Sequence, residues 1–194
     1  VLYRLYREKQ QETDLQLTML RSLNTHRFTD FSRALYGPVE DNLLFLAKDV
    51  LAHCKLDDDA SEIAMADCYE VAQKSRDMVA AYHDVSPEFS ARVEIRDDLP
   101  PGLMVTGSKL LVSRHTLMER RRIDALLSHE IGVHLLTYFN GSSQGLRVFR
   151  NGLSGYEGVQ EGLAVLAEYL TGGMTRERLR LIAARVVACA AMLD

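Results

Sequence analysis

Two histidines and a glutamate lie close together in the segment from Ser128 to His134, which reads Ser-His-Glu-Ile-Gly-Val-His. The neutral imidazole nitrogens of His129 and His134 are good ligands for a divalent metal ion. Glu130 directly follows the first histidine, and a glutamate there can act as general base on a water molecule beside the ion. These residue types in this order predict metal-assisted hydrolysis.

The spacing of the two histidines sets a condition on their helix. In the zincin arrangement the His-Glu pair lies on a helix that follows a small sheet, and its two histidines are four positions apart on one face. His129 and His134 are five positions apart, which places them about 140° apart around a regular α-helix. We therefore predict a π-type turn or a break between Ser128 and Leu135, with Gly132 at or next to it. The alternative is a buried helix whose histidines are hydrogen-bonded and bind no metal.

A third ligand is required, because catalytic zinc sites use three protein ligands and keep one position open. Glu161 lies in a second apolar helical segment, 27 positions after the second histidine, which leaves room for a loop and a return. Its small neighbours Gly162 and Ala164 favour close packing of this helix against another. Glu157 and Glu168 are competing candidates, and Glu168, two turns further along, could support a ligand from behind.

Two motifs together carry a resemblance to a known family: the His-Glu-x-x-x-His (HExxxH) stretch that begins at His129, and the Gln-Glu-Gly-Leu-Ala (QEGLA) stretch of residues 160–164. In these two motifs the chain resembles bacterial proteins labelled flavohemoglobin expression-modulating QEGLA-motif proteins. It is also similar to the microtubule-associated tyrosine carboxypeptidases, which remove the C-terminal tyrosine of α-tubulin. The resemblance implies a zincin-like metallopeptidase with Zn²⁺ as cofactor. It puts His129, His134 and Glu161 at the ligand positions and Glu130 at the catalytic position.

A carboxypeptidase must also hold a free carboxylate, which arginine binds best through its planar fork. Arg147 and Arg150 lie between the two metal helices, and Lys109 and Arg114 flank a strand that precedes the first of them. Tyr156, just before the Glu161 helix, is a candidate donor to an oxyanion. The alternative is a solubilising charge for each cation and a packed aromatic ring for the tyrosine. An extended substrate could pair with a sheet edge in the region 103–112.

The elements that position these residues follow from the period of the apolar positions. A small sheet of two to four strands is predicted from period-two alternation at 92–96 and β-like runs at 103–106 and 109–112. Helical spacing occupies most of the remainder. Helices are expected at 1–23, 30–36, about 43–51, 117–139 and 156–170, and from about 175 onward. A further helix is expected to follow a turn and N-cap at 57–61 and to end at about 82. A loop is expected at 141–155. The fold class is α+β and helix-dominated, a zincin-like metallopeptidase domain with a small sheet packed on the active-site helix.

The domain organisation is predicted from the change of period near Pro87. Residues 1–86 are predicted to form an N-terminal helical region, and residues 87–194 the catalytic core with the sheet and the two metal-binding helices. The two parts are expected to form one continuous domain. The chain begins without Met and ends inside an apolar helical pattern. We therefore interpret it as a fragment of a longer protein, truncated at its C-terminus.

Composition narrows the classes of partner. The 194 residues include 23 basic and 27 acidic side chains, a net charge of -4, which gives no general basic surface for nucleic acid. No apolar run approaches the ~18 residues of a membrane span. Three separated cysteines, Cys54, Cys68 and Cys189, favour a reduced, cytoplasmic protein in which buried thiols are packing residues.

The function predicted from the sequence is a zinc-dependent peptidase, a carboxypeptidase that hydrolyses a C-terminal residue from a protein or peptide. The first alternative is a non-enzymatic regulator that keeps the zinc site for structure. Glu130 distinguishes the two, because a structural site has four closed ligands and needs no general base. A metal-free helical interaction domain is the third hypothesis, which a metal analysis separates from the others.

Overall fold

The structure is a computed structural model and describes residues 1–56 and 63–193. Its helices are α1 (Leu2–Arg21), α2 (Arg27–Tyr36), α3 (Asp41–His53), α4 (Cys68–Val85), α5 (Ile123–His129), α6 (Leu136–Ser142), α7 (Arg147–Arg150), α8 (Glu157–Leu170) and α9 (Arg176–Leu193). Its strands are β1 (Met65–Asp67), β2 (Arg92–Arg96), β3 (Leu103–Thr106), β4 (Lys109–Ser113) and β5 (Leu117–Glu119). The helix-dominated α+β class predicted from the sequence is confirmed. In the described part of the chain, no helix combines the length and apolarity that crossing a membrane requires.

The chain divides into two compact units, one within 1–59 and 174–194 and the other within 60–173. In the first unit α1 packs on α2, and α3 packs along α9. Helix α1 confirms the helical segment predicted at 1–23, and it buries none of its residues. The end of α3 is capped from α9, because Arg180 Nη1 donates to the carbonyl oxygens of Leu51 at 2.8 Å and Cys54 at 2.7 Å.

The second unit is built on a three-stranded sheet with the order β2-β4-β3. Strand β4 is central, parallel to β2 and antiparallel to β3. Its run of Leu110, Leu111 and Val112 is buried, as expected for a strand covered on both faces. Strand β3 lies at the edge of this sheet. The sheet predicted from residues 92–96, 103–106 and 109–112 is confirmed.

A second, two-stranded sheet pairs β1 with β5 in antiparallel register, with Ala66 opposite Met118. Sequence analysis missed it, because each strand has three residues and its partner is about fifty positions away. The helix predicted to begin at residue 117 instead begins at Ile123, after β5 and a 3₁₀ turn, Arg120–Arg122. Helix α4 begins at Cys68 and is capped by the Asp67 carboxylate. The turn and cap predicted at 57–61 lie outside the described residues.

The core of the second unit joins α4, the larger sheet and the helical run that starts with α5. Its fully buried members include Val71 of α4, Leu110 of β4, and Ile123, Ile131 and Leu135 of the helical run. The sheet therefore packs on the helical run that carries the two histidines. The boundary predicted at residue 86 falls inside this unit, and the division into domains stays a prediction.

The cysteines are free thiols in different environments. Cys68 is buried in the core of the second unit, in agreement with the predicted packing role. Cys54 is half-buried and Cys189 is exposed, so the expectation of a buried thiol was wrong for these two. Both lie on or beside helices that expose much of their surface, and an apolar helical pattern does not by itself show which face is covered.

Candidate metal centre

The helical run that carries the histidines is interrupted where the spacing requires it. After α5 the backbone forms a π-helical turn, Glu130–Leu135, and then continues as α6. A π turn forms i→i+5 hydrogen bonds, so residues five apart return to one face. The imidazole ring centroids of His129 and His134 are 5.0 Å apart. The predicted irregular turn, with Gly132 inside it, is confirmed.

Three side chains bring ligand atoms together at this turn. His134 Nε2 lies 3.5 Å from Glu161 Oε1, and His129 Nε2 lies 3.9 Å from Glu161 Oε2. One ligand atom from each of the three lies within 4.8 Å of the others. Ligands about 2.0–2.2 Å from one tetrahedral zinc ion are about 3.4 Å from each other. The group therefore fits a metal ion after small side-chain adjustments, and two imidazoles with one carboxylate are a donor set of catalytic zinc sites.

Glu161 lies on α8, which packs against α5 and the π turn. The predicted contact between the helix of His129 and the helix of Glu161 is confirmed. Of the two small residues predicted to allow it, Ala164 is fully buried, whereas the prediction is wrong for Gly162, which is exposed and has open space where a Cβ would lie. A further close approach occurs just after α8, at Gly173, where an added Cβ would overlap with Ala125 of α5.

Glu168 contacts His129 at Nδ1, the ring nitrogen on the side away from Glu161. Its side chain is 1% exposed, and its Oε1 lies 2.7 Å from His129 Nδ1. The carboxylate accepts a hydrogen bond from Nδ1–H, which leaves the Nε2 lone pair directed to the ligand group. Burial lowers the pKa of His129, an effect that Glu168 partly offsets. A neutral ring is the form that binds a metal ion.

Glu130 opens the π turn and lines the same cavity as the two histidines. Burial, and then the carboxylates of Glu161 and Glu168, raise the pKa of Glu130 to about 7. A carboxyl group with such a pKa can both accept and donate a proton near neutral pH. Glu157, the other competitor for the third ligand position, is not part of the three-residue group.

A cavity of about 580 Å³ opens over this group. The larger sheet contributes one wall through β3, and the segment after α7 contributes another. Its described lining residues are Leu103, Met104, Val105, Gly107, His129, Glu130, His134, Thr137, Tyr138, Arg150, Asn151, Gly152, Tyr156, Gln160 and Glu161. A cavity of this size, open to solvent, can admit a peptide end.

Of the five candidate substrate-binding residues, two line this cavity, and three, including Arg114, do not. Arg150 and Tyr156 line it. Arg147 is exposed on α7 and is not among the lining residues. Lys109 is also outside the lining, and its Nζ lies 2.7 Å from Glu94 Oε1. The loop expected at 141–155 contains α7, whose first and last residues are these two arginines.

Sequence analysis did not single out Gly152, which has a backbone φ of 79°. An added Cβ there would overlap with the ring of Tyr156. Glycine is therefore needed both for the left-handed conformation and for the close contact with the ring. The Asn-Gly dipeptide at 151–152 was the available signal, because it is typical of turns.

Comparison with known proteins agrees with this geometry. The model of a protein family described as microtubule-associated tyrosine carboxypeptidase (MATCAP) matches residues 1–194. The chain has no match among curated proteins or among solved structures. The family resemblance inferred from the HExxxH and QEGLA motifs is thereby confirmed.

Proposed function

The chain belongs to the microtubule-associated tyrosine carboxypeptidase family, and we propose that it is a zinc-dependent peptidase that removes the C-terminal residue of a protein or peptide. One observation carries the proposal. The side chains of His129, His134 and Glu161 converge on one point of a cavity that Glu130 also lines. A hydrolytic zinc site has three protein ligands and, beside them, a carboxylate that does not bind the metal. A structural zinc site instead has four protein ligands and no open position.

The two imidazoles and the Glu161 carboxylate would hold the ion. Bound there, zinc supplies Lewis-acid activation of water and of the scissile carbonyl group. The hydrogen bond from His129 Nδ1–H to Glu168 keeps Nε2 available for this role. His134 is mostly buried, with 14% of its side chain exposed, so its ring has little rotational freedom to lose on binding.

Glu130 has the position of a general base. It adjoins His129 in sequence, lines the cavity and is not one of the three residues that would hold the ion. In the proposed reaction it accepts a proton from the attacking water and donates that proton to the leaving amine. The surrounding walls exclude part of the bulk water, which strengthens the electrostatic interactions inside.

The substrate is proposed to be a protein or peptide with an accessible C-terminal end. The family description names a tyrosine carboxypeptidase, which makes a C-terminal tyrosine the first residue to test. Strand β3 lies at the sheet edge and contributes Leu103, Met104 and Val105 to the cavity wall. An extended peptide can pair with such an edge through main-chain hydrogen bonds.

Replacement of Glu130 by Gln tests the proposed function. The variant is expected to bind zinc with the wild-type stoichiometry, near one ion per chain, and to lose about two to four orders of magnitude in kcat, because it lacks only the proton acceptor. The measurement is release of tyrosine from a peptide that ends in this residue, together with elemental analysis of both proteins.

Glu157→Gln is the matched control, because it makes the same chemical change at the start of α8 outside the ligand group. It should retain wild-type hydrolysis. A Glu130→Gln variant as active as wild type contradicts the proposal. Zinc binding without hydrolysis by the wild-type protein supports the regulatory alternative, and absence of zinc binding contradicts both.

A further inference from the structure

We propose that Arg150 binds the terminal carboxylate of the peptide, so that this one side chain makes the cavity select chain ends over internal peptide bonds. The inference rests on the proposed function and adds to it the residue that determines where the substrate is cut. It begins from the charges of the cavity. Arg150 is the one Lys or Arg side chain among the described lining residues, which include the carboxylates of Glu130 and Glu161.

The terminal carboxylate of a substrate would meet these two acidic groups and therefore requires a cation. The neighbouring cations on the sheet are already paired. Lys109 Nζ lies 2.7 Å from Glu94, and Arg114 pairs with Asp97 and donates to the Tyr69 hydroxyl. Arg150, by contrast, forms no side-chain hydrogen bond or ion pair with any other described residue. The residue is exposed, so its guanidinium group can bind an external anion.

The backbone that presents Arg150 is held on both sides. Before it, Gly141 of α6 touches α7 so closely that an added Cβ would overlap with the Phe149 carbonyl. After it, Gly152 packs directly under the Tyr156 ring. Two such contacts restrict the movement of α7 and of the turn that follows. The arginine therefore extends into the cavity from a well-defined position.

The chemistry of arginine suits this role. The guanidinium presents a planar fork that matches the two oxygens of a carboxylate and forms two parallel hydrogen bonds. An amidated peptide end offers one oxygen and no charge. A peptide acid should therefore bind about 10- to 100-fold more tightly than its amide if Arg150 provides this contact.

Arg147 provides a matched comparison within the same helix. It has the same side chain on α7, three positions earlier, and it lies outside the described cavity lining. Loss of a general positive charge from this region should affect both arginines equally. Loss of a specific carboxylate contact should affect Arg150 alone.

The experiment measures peptide binding rather than turnover. The protein is the zinc-loaded Glu130→Gln variant, and the ligands are an acetylated Ala-Ala-Ala-Glu-Tyr peptide as free acid and as amide. Calorimetry should show at least tenfold tighter binding of the acid. Adding Arg150→Ala should remove this preference by weakening the acid alone, and adding Arg147→Ala should leave it unchanged. Arg150→Lys should keep only part of it.

Either of two results overturns the inference: equal binding of acid and amide by the parent protein, or a preference that survives Arg150→Ala. A peptide with Gln in place of Glu distinguishes the terminal carboxylate from the side-chain carboxylate. If this replacement abolishes the dependence on Arg150 while amidation does not, the assignment to the chain end is wrong.

Thermal unfolding of each variant shows that its fold is retained. Failure of the proposed function is recognised separately, as absence of zinc binding or of hydrolysis by the wild-type protein. The carboxylate preference is then measured on the metal-free protein with the same peptides, and the same two results overturn it.

Discussion

Two helical segments meet at the candidate metal centre, and they carry their paired residues in different ways. The run from α5 to α6 carries His129 and His134 five positions apart and forms a π turn between them. Helix α8 carries Glu161 and Glu168 seven positions apart and is a regular α-helix. Seven residues make close to two full turns, within about 20°, whereas five leave a 140° mismatch. The difference shows that the distortion follows from the spacing of the residues that must face the site.

The two glutamates also differ in environment. Glu161 is 61% exposed at the mouth of the cavity, and Glu168 is 1% exposed behind it. Along the axis of α8 they are about 10.5 Å apart. His129 lies between them, with Nε2 toward Glu161 and Nδ1 on Glu168. The imidazole of His129 therefore lies between the buried carboxylate of Glu168 and the exposed carboxylate of Glu161. We infer that the two carboxylates have separate roles.

The largest effect that tests this comparison is expected from Glu168→Gln. The amide keeps the shape of the side chain and an acceptor for His129 but removes the charge. Zinc affinity should fall about 10- to 100-fold, as for other partners of metal-binding histidines. Competition against a chelator measures it, with Glu157→Gln as the control on the same helix. Unchanged affinity in a folded Glu168→Gln protein would show that the buried carboxylate does not support the ligand.

A smaller effect is expected from Gly173→Ala, which acts on the contact between the two segments. The new methyl group would overlap with Ala125, so α5 and the turn that follows α8 must move apart. The free energy of unfolding should fall by about 1–3 kcal/mol, and zinc affinity should fall with it. Denaturant unfolding measures the first and zinc titration the second.

Gly162→Ala is the control for this substitution, because it lies inside α8 with open space around the added atom. It should raise the free energy of unfolding by up to about 1 kcal/mol through helix propensity alone. A Gly173→Ala protein as stable as this control would contradict the proposed close contact.

The smallest effect is expected from Gly132→Ala within the π turn. The added Cβ would lie 3.5 Å from the Tyr82 hydroxyl, an ordinary contact, so no clash is introduced. Alanine favours a regular α-helix over glycine by about 1 kcal/mol, which competes with the π turn and should weaken zinc binding about fivefold or less. Circular dichroism should show unchanged helix content. Tighter zinc binding by the variant would contradict the argument.

Much of the site could be predicted from short-range spacing. The five-residue interval between the histidines was sufficient to predict the irregular turn, because it is a local geometric constraint. The choice between Arg147 and Arg150 was not available, because it depends on the short helix α7 and its packing on Gly141. The contact of Gly173 with Ala125 joins residues 48 positions apart, and nothing in either local sequence indicates it. Pairing of β1 with β5 was missed for the same reason.

The π turn also has an evolutionary consequence. A turn of this kind accommodates one additional residue, so the helix after it presents the same face to the core as it would without that residue. The core positions of α5 and α6 can then keep their partners whether the two histidines are four or five positions apart. We expect deletion of a single codon between His129 and His134, which would convert the π turn into a regular α-helical turn, to be tolerated by this fold. Two signature motifs that look different in sequence can therefore be neighbouring states of one lineage.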